Sequence, residues 1–233
     1  MPSVLFVLSA SDHWTLKDGT RHDTGFWAEE FVAPHDVFAE AGWDITLATP
    51  GGVTPTVDRT SLGVMGGLPW KTAQLKKDLE RLAPLLEHPQ ALADVDEAAY
   101  DVVFYPGGHG PLEDLAKDPV SGELLRARMA AGRTTALLCH SPAAMLAAPG
   151  EGADWPFHGY AMTGFSNAEE KIAGLADKAP WLLQDELERR GADVSTTTIP
   201  YRPHVVVDRN LYTGQNPQSS EPLAERILAD LTR

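Results

Sequence analysis

The chain has 233 residues, 43% of them hydrophobic, a formal net charge of −14 and one cysteine. That length supports one substantial core, so residues 1–233 read as a single domain. The charge argues against nucleic acid and anionic membrane surfaces as partners; the lone cysteine excludes an intrachain disulfide framework and fits a reducing compartment. In chain order, Val4 to Ser9 is an almost wholly apolar run, the mark of a strand buried on both faces of a parallel sheet. Its apolar part is too short for a secretory leader, and no other run could span a bilayer, so a cytoplasmic location is expected. Ala10 to Thr24 reads as a long polar loop, and Gly25 to Ala41 as a helix capped by Gly42 and kinked or split at Pro34.

That helix carries Glu29 and Glu30. Adjacent helical residues point about 100° apart, so at most one of them faces the core squarely. Glu29 shares its face with Asp36 and Glu40, a solvated set, whereas Glu30 shares its face with Phe26, Ala33 and Val37. A carboxyl on an apolar stripe has a raised pKa and is a candidate for acid–base work. If Pro34 breaks the helix, the count fails and Glu30 is a surface residue.

Asp44 to Thr49 is a second strand, Lys71 to Leu86 a charged amphipathic helix, and Asp101 to Tyr105 another buried strand. The last runs into Pro106-Gly107-Gly108-His109-Gly110. Glycines there let the backbone approach a ligand closely, which makes Gly108 and His109 candidates for an oxyanion or substrate pocket; an ordinary tight turn is the plainer reading. A helix over Pro119 to Ala131 precedes the strand Thr134 to Leu138, which stops at Cys139 and His140. Ser141 as N-cap and Pro142 as first helical residue form a helix-start signature. Cys139 therefore sits at the carboxyl end of a strand, where open α/β sheets bind ligands, with a helix N-terminus to favour its anion. A catalytic thiol and an inert core cysteine are both compatible with that position.

Farther on, Ser166 and Glu169 have capping-box spacing, which gives Glu169 a structural task and leaves Glu170 free. Trp181 to Arg190 is a helix; Asp193 to Ile199, His204 to Val207 and Leu211 to Thr213 are strands, the last two paired through a turn at 208–210. Gln218 to Leu231 is the final helix. Strands alternating with helices predict a doubly wound, largely parallel α/β sheet sandwiched by helices.

Leu138-Cys139-His140-Ser141-Pro142-Ala143 resembles the Cys-His-Gly-Pro-Ala elbow of the ThiJ/PfpI superfamily, a branch of the class I glutamine amidotransferase-like fold. Thr24 to Glu30 with Pro34, the Gly107 to Gly110 turn, Thr163-Gly164-Phe165 with Glu169-Glu170, and Thr213 to Pro217 extend the resemblance over nearly the whole chain. The best agreement is with stress-inducible chaperones that act as glutathione-independent glyoxalase III. The resemblance implies a flavodoxin-like sandwich and a homodimer. It makes Cys139 the nucleophile, His140 its proton-transfer partner, Glu170 the triad carboxylate and Glu30 the hydrogen-bonding partner of the cysteine. It also implies a small aldehyde such as methylglyoxal as substrate and no cofactor, with deglycation of methylglyoxal adducts, or a chaperone or redox-sensing role, as alternatives. Ser141 departs from the family's usual glycine and adds a hydroxyl beside the thiol. No cluster of metal ligands stands out by spacing, so no metal is expected.

Overall fold

The first strand, β1 (Ser3–Val7), has Val4 to Val7 fully buried, as its unbroken apolar run requires. This computed structural model describes residues 1–232. The expected polar loop contains a hairpin, β2 (His13–Thr15) with β3 (Arg21–Asp23), closed around Asp18-Gly19. An Asp-Gly pair is a strong hairpin signal, and Trp14 on this ribbon is buried.

Helix α1 (Ala28–Glu40) runs through Pro34 unbroken. Pro34 removes only the bond to the Glu30 carbonyl, and packing of Phe31, Val32 and Phe38 into the core holds the helix across that gap. Next come β4 (Asp44–Thr49), α2 (Pro69–Leu86), β5 (Gln90–Ala91), β6 (Val102–Tyr105), the short α3 (Gly110–Glu113) and α4 (Pro119–Ala130). After β7 (Thr135–Leu138) the chain forms a 3₁₀ helix, Ser141–Ala147, where an α-helix is expected. The Met145 carbonyl accepts from Trp155 Nε1 and the Leu146 carbonyl from Arg190, so side chains take acceptors that a longer α-helix would use.

The remainder comprises β8 (Ala161–Met162), α5 (Asn167–Ile172), α6 (Leu183–Arg189), β9 (Asp193–Val194), β10 (Val205–Asp208), β11 (Leu211–Gly214) and α7 (Ser220–Leu231). Strand β9 is only two residues long because Thr197 gives its N–H to Gln215 and its hydroxyl to Ile199, which diverts the backbone from a ladder.

Seven strands form one sheet in the order β10-β11-β7-β6-β1-β4-β5, parallel throughout except for the β10–β11 pair. The chain moves outward from β1 to β4, then returns to β6 and continues to β7 on the other side. With right-handed crossovers, that reversal places α1 and α4 on opposite faces. Helix α1 packs along α7 and against α2, while α4 packs against the 3₁₀ segment. The fold is the expected helix-flanked, mostly parallel sheet. Its topological switch point lies between β1 and β6, and the carboxyl ends of the neighbouring strands open there. No helix among the described residues is long and apolar enough to cross a membrane.

Candidate active site

Strand β7 ends in a sharp reversal at Cys139, whose φ of 61° lies in the left-handed region. Such a conformation costs a non-glycine residue about 1–3 kcal/mol and persists only where surroundings impose it. Here the Cys139 N–H donates to the Gly214 carbonyl at 2.8 Å, and the Cys139 carbonyl accepts from the Phe165 N–H at 2.8 Å. Both backbone groups are pinned, so the thiol is fixed above the end of the sheet.

Ser141 does not cap a helix and does not line the pocket. Its hydroxyl accepts from the Leu138 N–H at 2.7 Å and lies 2.6 Å from the Tyr105 carbonyl, tying the ends of β6 and β7 together behind the thiol. The serine that stands in place of glycine therefore acts on the sheet and leaves the space beside the sulfur unchanged. Because the segment after it is a 3₁₀ helix of seven residues, an α-helix N-terminus is not what acts on Cys139.

The turn after β6 closes the other side. A Cβ on Gly107 would lie 2.5 Å from the Leu138 carbonyl oxygen, 2.7 Å from Glu30 Oε2 and 2.9 Å from Cys139 Cβ, so only glycine fits. Gly108 has φ 95° and presses on the backbone of Gly25 and Trp27. Its N–H lies on the side of the Cys139 thiol and favours the anion there. The Gly107 N–H donates to Glu30 Oε2 at 2.8 Å. Glu30 is fully buried, and its Oε1 has no hydrogen-bond partner within ordinary limits. Cys139 is the first side chain to act on it. Glu29 instead pairs with Lys71 at the edge of α2.

His140 Nδ1 lies 3.4 Å from Cys139 Sγ, and His140 Nε2 lies 2.7 Å from Glu170 Oε2. The second Glu170 oxygen, Oε1, is 2.9 Å from His109 Nε2. The two imidazole rings are 4.1 Å apart, and Phe165 lies 4.3 Å from His140 on centroid distances. Glu169 is turned away from this array: its carboxylate accepts from Ser166, Tyr201, Gln215 and Asn216, and it completes the capping box of α5.

Burial pushes the Glu30 carboxyl well above the usual carboxylate range and so favours its protonated form. Burial also raises the Cys139 thiol, and an ionised Glu30 would raise it further by repulsion. A protonated Glu30 reverses that second influence, because it donates a hydrogen bond to the thiolate. His140 is pushed down to about 4 by burial and by His109, against the attraction of Glu170. Burial opposes ionisation of Glu170, but the two imidazoles outweigh it and hold the carboxyl below its usual range. The resting site is therefore a neutral thiol, a neutral His140 donating from Nε2 to Glu170, and a free Nδ1 facing the sulfur. In this arrangement His140 Nδ1, 3.4 Å from the sulfur, is placed to accept a proton from the thiol.

Against known proteins, the DJ-1/PfpI family model matches residues 23–230. The chain belongs to the DJ-1/PfpI family. It is 29% identical to a Pseudomonas aeruginosa protein named protein/nucleic acid deglycase HchA, over 95% of this chain and 78% of that one. The structure of glyoxalase III from Candida albicans superposes with a TM-score of 0.83 at 27% identity, covering 98% of this chain and 96% of its own. The Francisella tularensis rapid encystment protein of 24 kDa gives a TM-score of 0.86 at 26% identity, covering 99% of each chain.

In this DJ-1/PfpI chain Cys139, His140, Gly108 and His109 line a pocket of about 160 Å³. His22, Trp27, Asp58, Met65, Phe165 and Tyr201 also line it; Trp27 and Phe165 fall in motifs that carry the resemblance, but the sequence assigns a site role to none of the six. They come from loops, short turns and the three-residue strand β3, where no periodicity marks an inward side chain. His109, His140 and Glu170 also form the one grouping with a metal-like donor set among the described residues. Spacing does not disclose it, because the turn after β6, the reversal after β7 and the first turn of α5 supply one residue each. Each imidazole Nε2 faces a Glu170 oxygen at hydrogen-bond distance, so the atoms a metal would need are paired with one another through protons.

Proposed function

We propose that this protein is a cofactor-free, glutathione-independent enzyme that converts small 2-oxoaldehydes such as methylglyoxal into 2-hydroxy acids. The observation that carries this is the line Cys139–His140–Glu170, with His140 Nδ1 3.4 Å from the sulfur and Nε2 bound to Glu170, and with buried Glu30 beside the thiol. The thiol proton passes to His140 Nδ1 as sulfur attacks the aldehyde carbon. The carbonyl oxygen takes up a proton, giving a hemithioacetal, while the Glu30 hydroxyl and the Gly108 N–H stabilise the charge that develops. His140 then removes the hydrogen from the former aldehyde carbon, and the electron pair moves to form an enediolate. Protonation of the neighbouring carbon gives a 2-hydroxy thioester, which water hydrolyses to the acid and the free thiol. One carbon is oxidised and its neighbour reduced, so no external redox partner is required. The glyoxalase III and deglycase names of similar proteins support the same class of substrate.

Cys139→Ala should yield no lactate from methylglyoxal in the absence of glutathione; acid formation at the wild-type rate would overturn the reading. A second reading, deglycation of methylglyoxal adducts, gains support from two pocket-lining residues. Trp27 Nε1 and Gln218 Oε1 are buried without partners, a donor and an acceptor that an amine or amide adduct could engage and a bare aldehyde does not need. Adduct loss faster than its spontaneous release of aldehyde supports deglycation, and loss no faster than that release rejects it. A chaperone role is favoured by one feature only, the exposed Val64, Leu68 and Trp70, which flank the pocket-lining Met65 in sequence. The reading includes action as a homodimer in the cytoplasm; the net charge weighs against nucleic acid as a partner, whereas the protein/nucleic acid deglycase name of a relative weighs for it.

A further inference from the structure

One imidazole in the pocket has no task in the steps above. His109 is buried, its ring stacks on Trp14 at 5.4 Å and lies 4.1 Å from the His140 ring, and it lines the same pocket as Cys139. Glu170 receives both histidines, His140 on Oε2 at 2.7 Å and His109 on Oε1 at 2.9 Å. One carboxylate thereby sets one tautomer in both rings: each donates from Nε2 and leaves Nδ1 as an acceptor. His140 Nδ1 is committed to the sulfur. His109 Nδ1 has no hydrogen-bond partner among the described residues, and it is not among their fully buried unpaired atoms, so it stays accessible from the pocket.

Hydrolysis of the thioester needs a base at a different place from the earlier steps. His140 Nδ1 sits beside the leaving sulfur, whereas the attacking water must approach the acyl carbon from the pocket. We propose that His109 is the general base of this last step and activates the water that releases the 2-hydroxy acid from Cys139. The proposal rests on the thiol mechanism above. In this step a water oxygen bonds to the thioester carbon while one of its protons moves to His109 Nδ1, and Glu170 balances the imidazolium so formed. The tetrahedral oxyanion collapses, the C–S bond breaks and its electron pair stays on sulfur. The second water proton remains with the acid, and the proton held by His109 returns to the sulfur, restoring thiol and neutral imidazole. Glu170 thus serves two bases in turn, one for the nucleophile and one for water.

The test is rapid-quench intact-mass analysis of the whole protein with methylglyoxal and no glutathione. His109→Gln keeps an N–H to donate to Glu170 but no basic nitrogen. It should form the lactoyl–Cys139 adduct in a burst of about one equivalent, then turn over roughly a hundredfold or more slower than wild type. Hydroxylamine, which attacks thioesters without a base, should discharge that adduct and restore turnover as the hydroxamate. His140→Gln should accumulate no adduct. Steady-state turnover within a few-fold of wild type in His109→Gln, or slow turnover without adduct, overturns the assignment; His109→Asn repeats the test if the glutamine variant does not fold. Wild type that makes no acid, or Cys139→Ala that makes it normally, overturns instead the thiol reading on which the assignment depends.

Discussion

Glu30 and Cys139 are both buried at the end of the sheet, and burial favours the protonated form of each. Burial favours the protonated Glu30 carboxyl, against the smaller opposing influences of Cys139 and the Gly107 N–H. Glu30→Gln preserves shape and can still accept from Gly107, but its amide is a far poorer proton donor. We expect kcat for methylglyoxal to fall roughly ten- to a thousandfold with the fold intact, as for removal of one donor to a developing charge. The linkage has a definite sign. A folded pKa raised above the ordinary 4.5 gives stability that is complete below that value and is lost as pH rises toward the folded pKa. Thermal unfolding of Glu30→Gln against wild type should therefore show the variant gaining relative stability from pH 5 to pH 8; parallel curves would contradict a buried neutral carboxyl.

His140 has the opposite shift and leaves a separate signature. Its folded pKa of about 4, against 6.5 when free, means that the unfolded chain binds more protons between those values. Stability should fall as pH drops from about 6.5 to about 4, and Glu170, held ionised, works in the same direction at lower pH. Because His140 must be neutral to accept the thiol proton, the acid limb of kcat/KM should lie near pH 4; a limb at 6.5 would mean a solvated imidazole.

At the scale of elements, the turn after β6 is the tightest joint. Gly107→Ala places a methyl between the Leu138 carbonyl, Glu30 and Cys139, and backbone cannot retreat there cheaply. A loss of about 1–3 kcal/mol in denaturant unfolding is expected, together with loss of most activity. Glu169 holds a second joint. It gathers the start of α5, the Tyr201 backbone and the Gln215-Asn216 loop, and Glu169→Ala would orphan all of those donors at once. Its cost should be roughly 3–5 kcal/mol, checked in the same unfolding measurement. These joints also show what can be read from a sequence. The placement of Glu30 follows from helical periodicity, and that of Glu169 from the spacing of a capping box, because both signals are local. The hairpin around Asp18-Gly19 carries a local signal too, but its polar, short strands hide it. The 3₁₀ form after Cys139 is not legible, since it depends on Trp155 and Arg190 reaching back from later in the chain. The bond from His109 to Glu170 joins positions 61 residues apart and has no local trace.

At the scale of the whole molecule, the two ends of the chain meet under the site. Strand β11 lies against β7, which carries the thiol, and α7 lies along α1, which carries Glu30. Both proposed catalytic side chains therefore depend on the folded C-terminal region for their position, although none of the proposed catalytic groups comes from α7. That arrangement predicts one cooperative unit. Near-ultraviolet and far-ultraviolet dichroism should lose signal in coincident transitions, and activity should disappear in the same one. Two resolved transitions would mean that the chain divides into separately stable parts. Leu223 and Ile227 on α7 are fully buried and remote from the chemistry. Ile227→Ala removes core volume there and should cost about 2–5 kcal/mol. If the molecule unfolds as one, this variant shifts the midpoint of every probe equally and leaves kcat per folded molecule unchanged at low temperature. A variant that instead loses activity well before its secondary structure would show that α7 positions α1 independently of the sheet, and that the site can come apart while the fold stands.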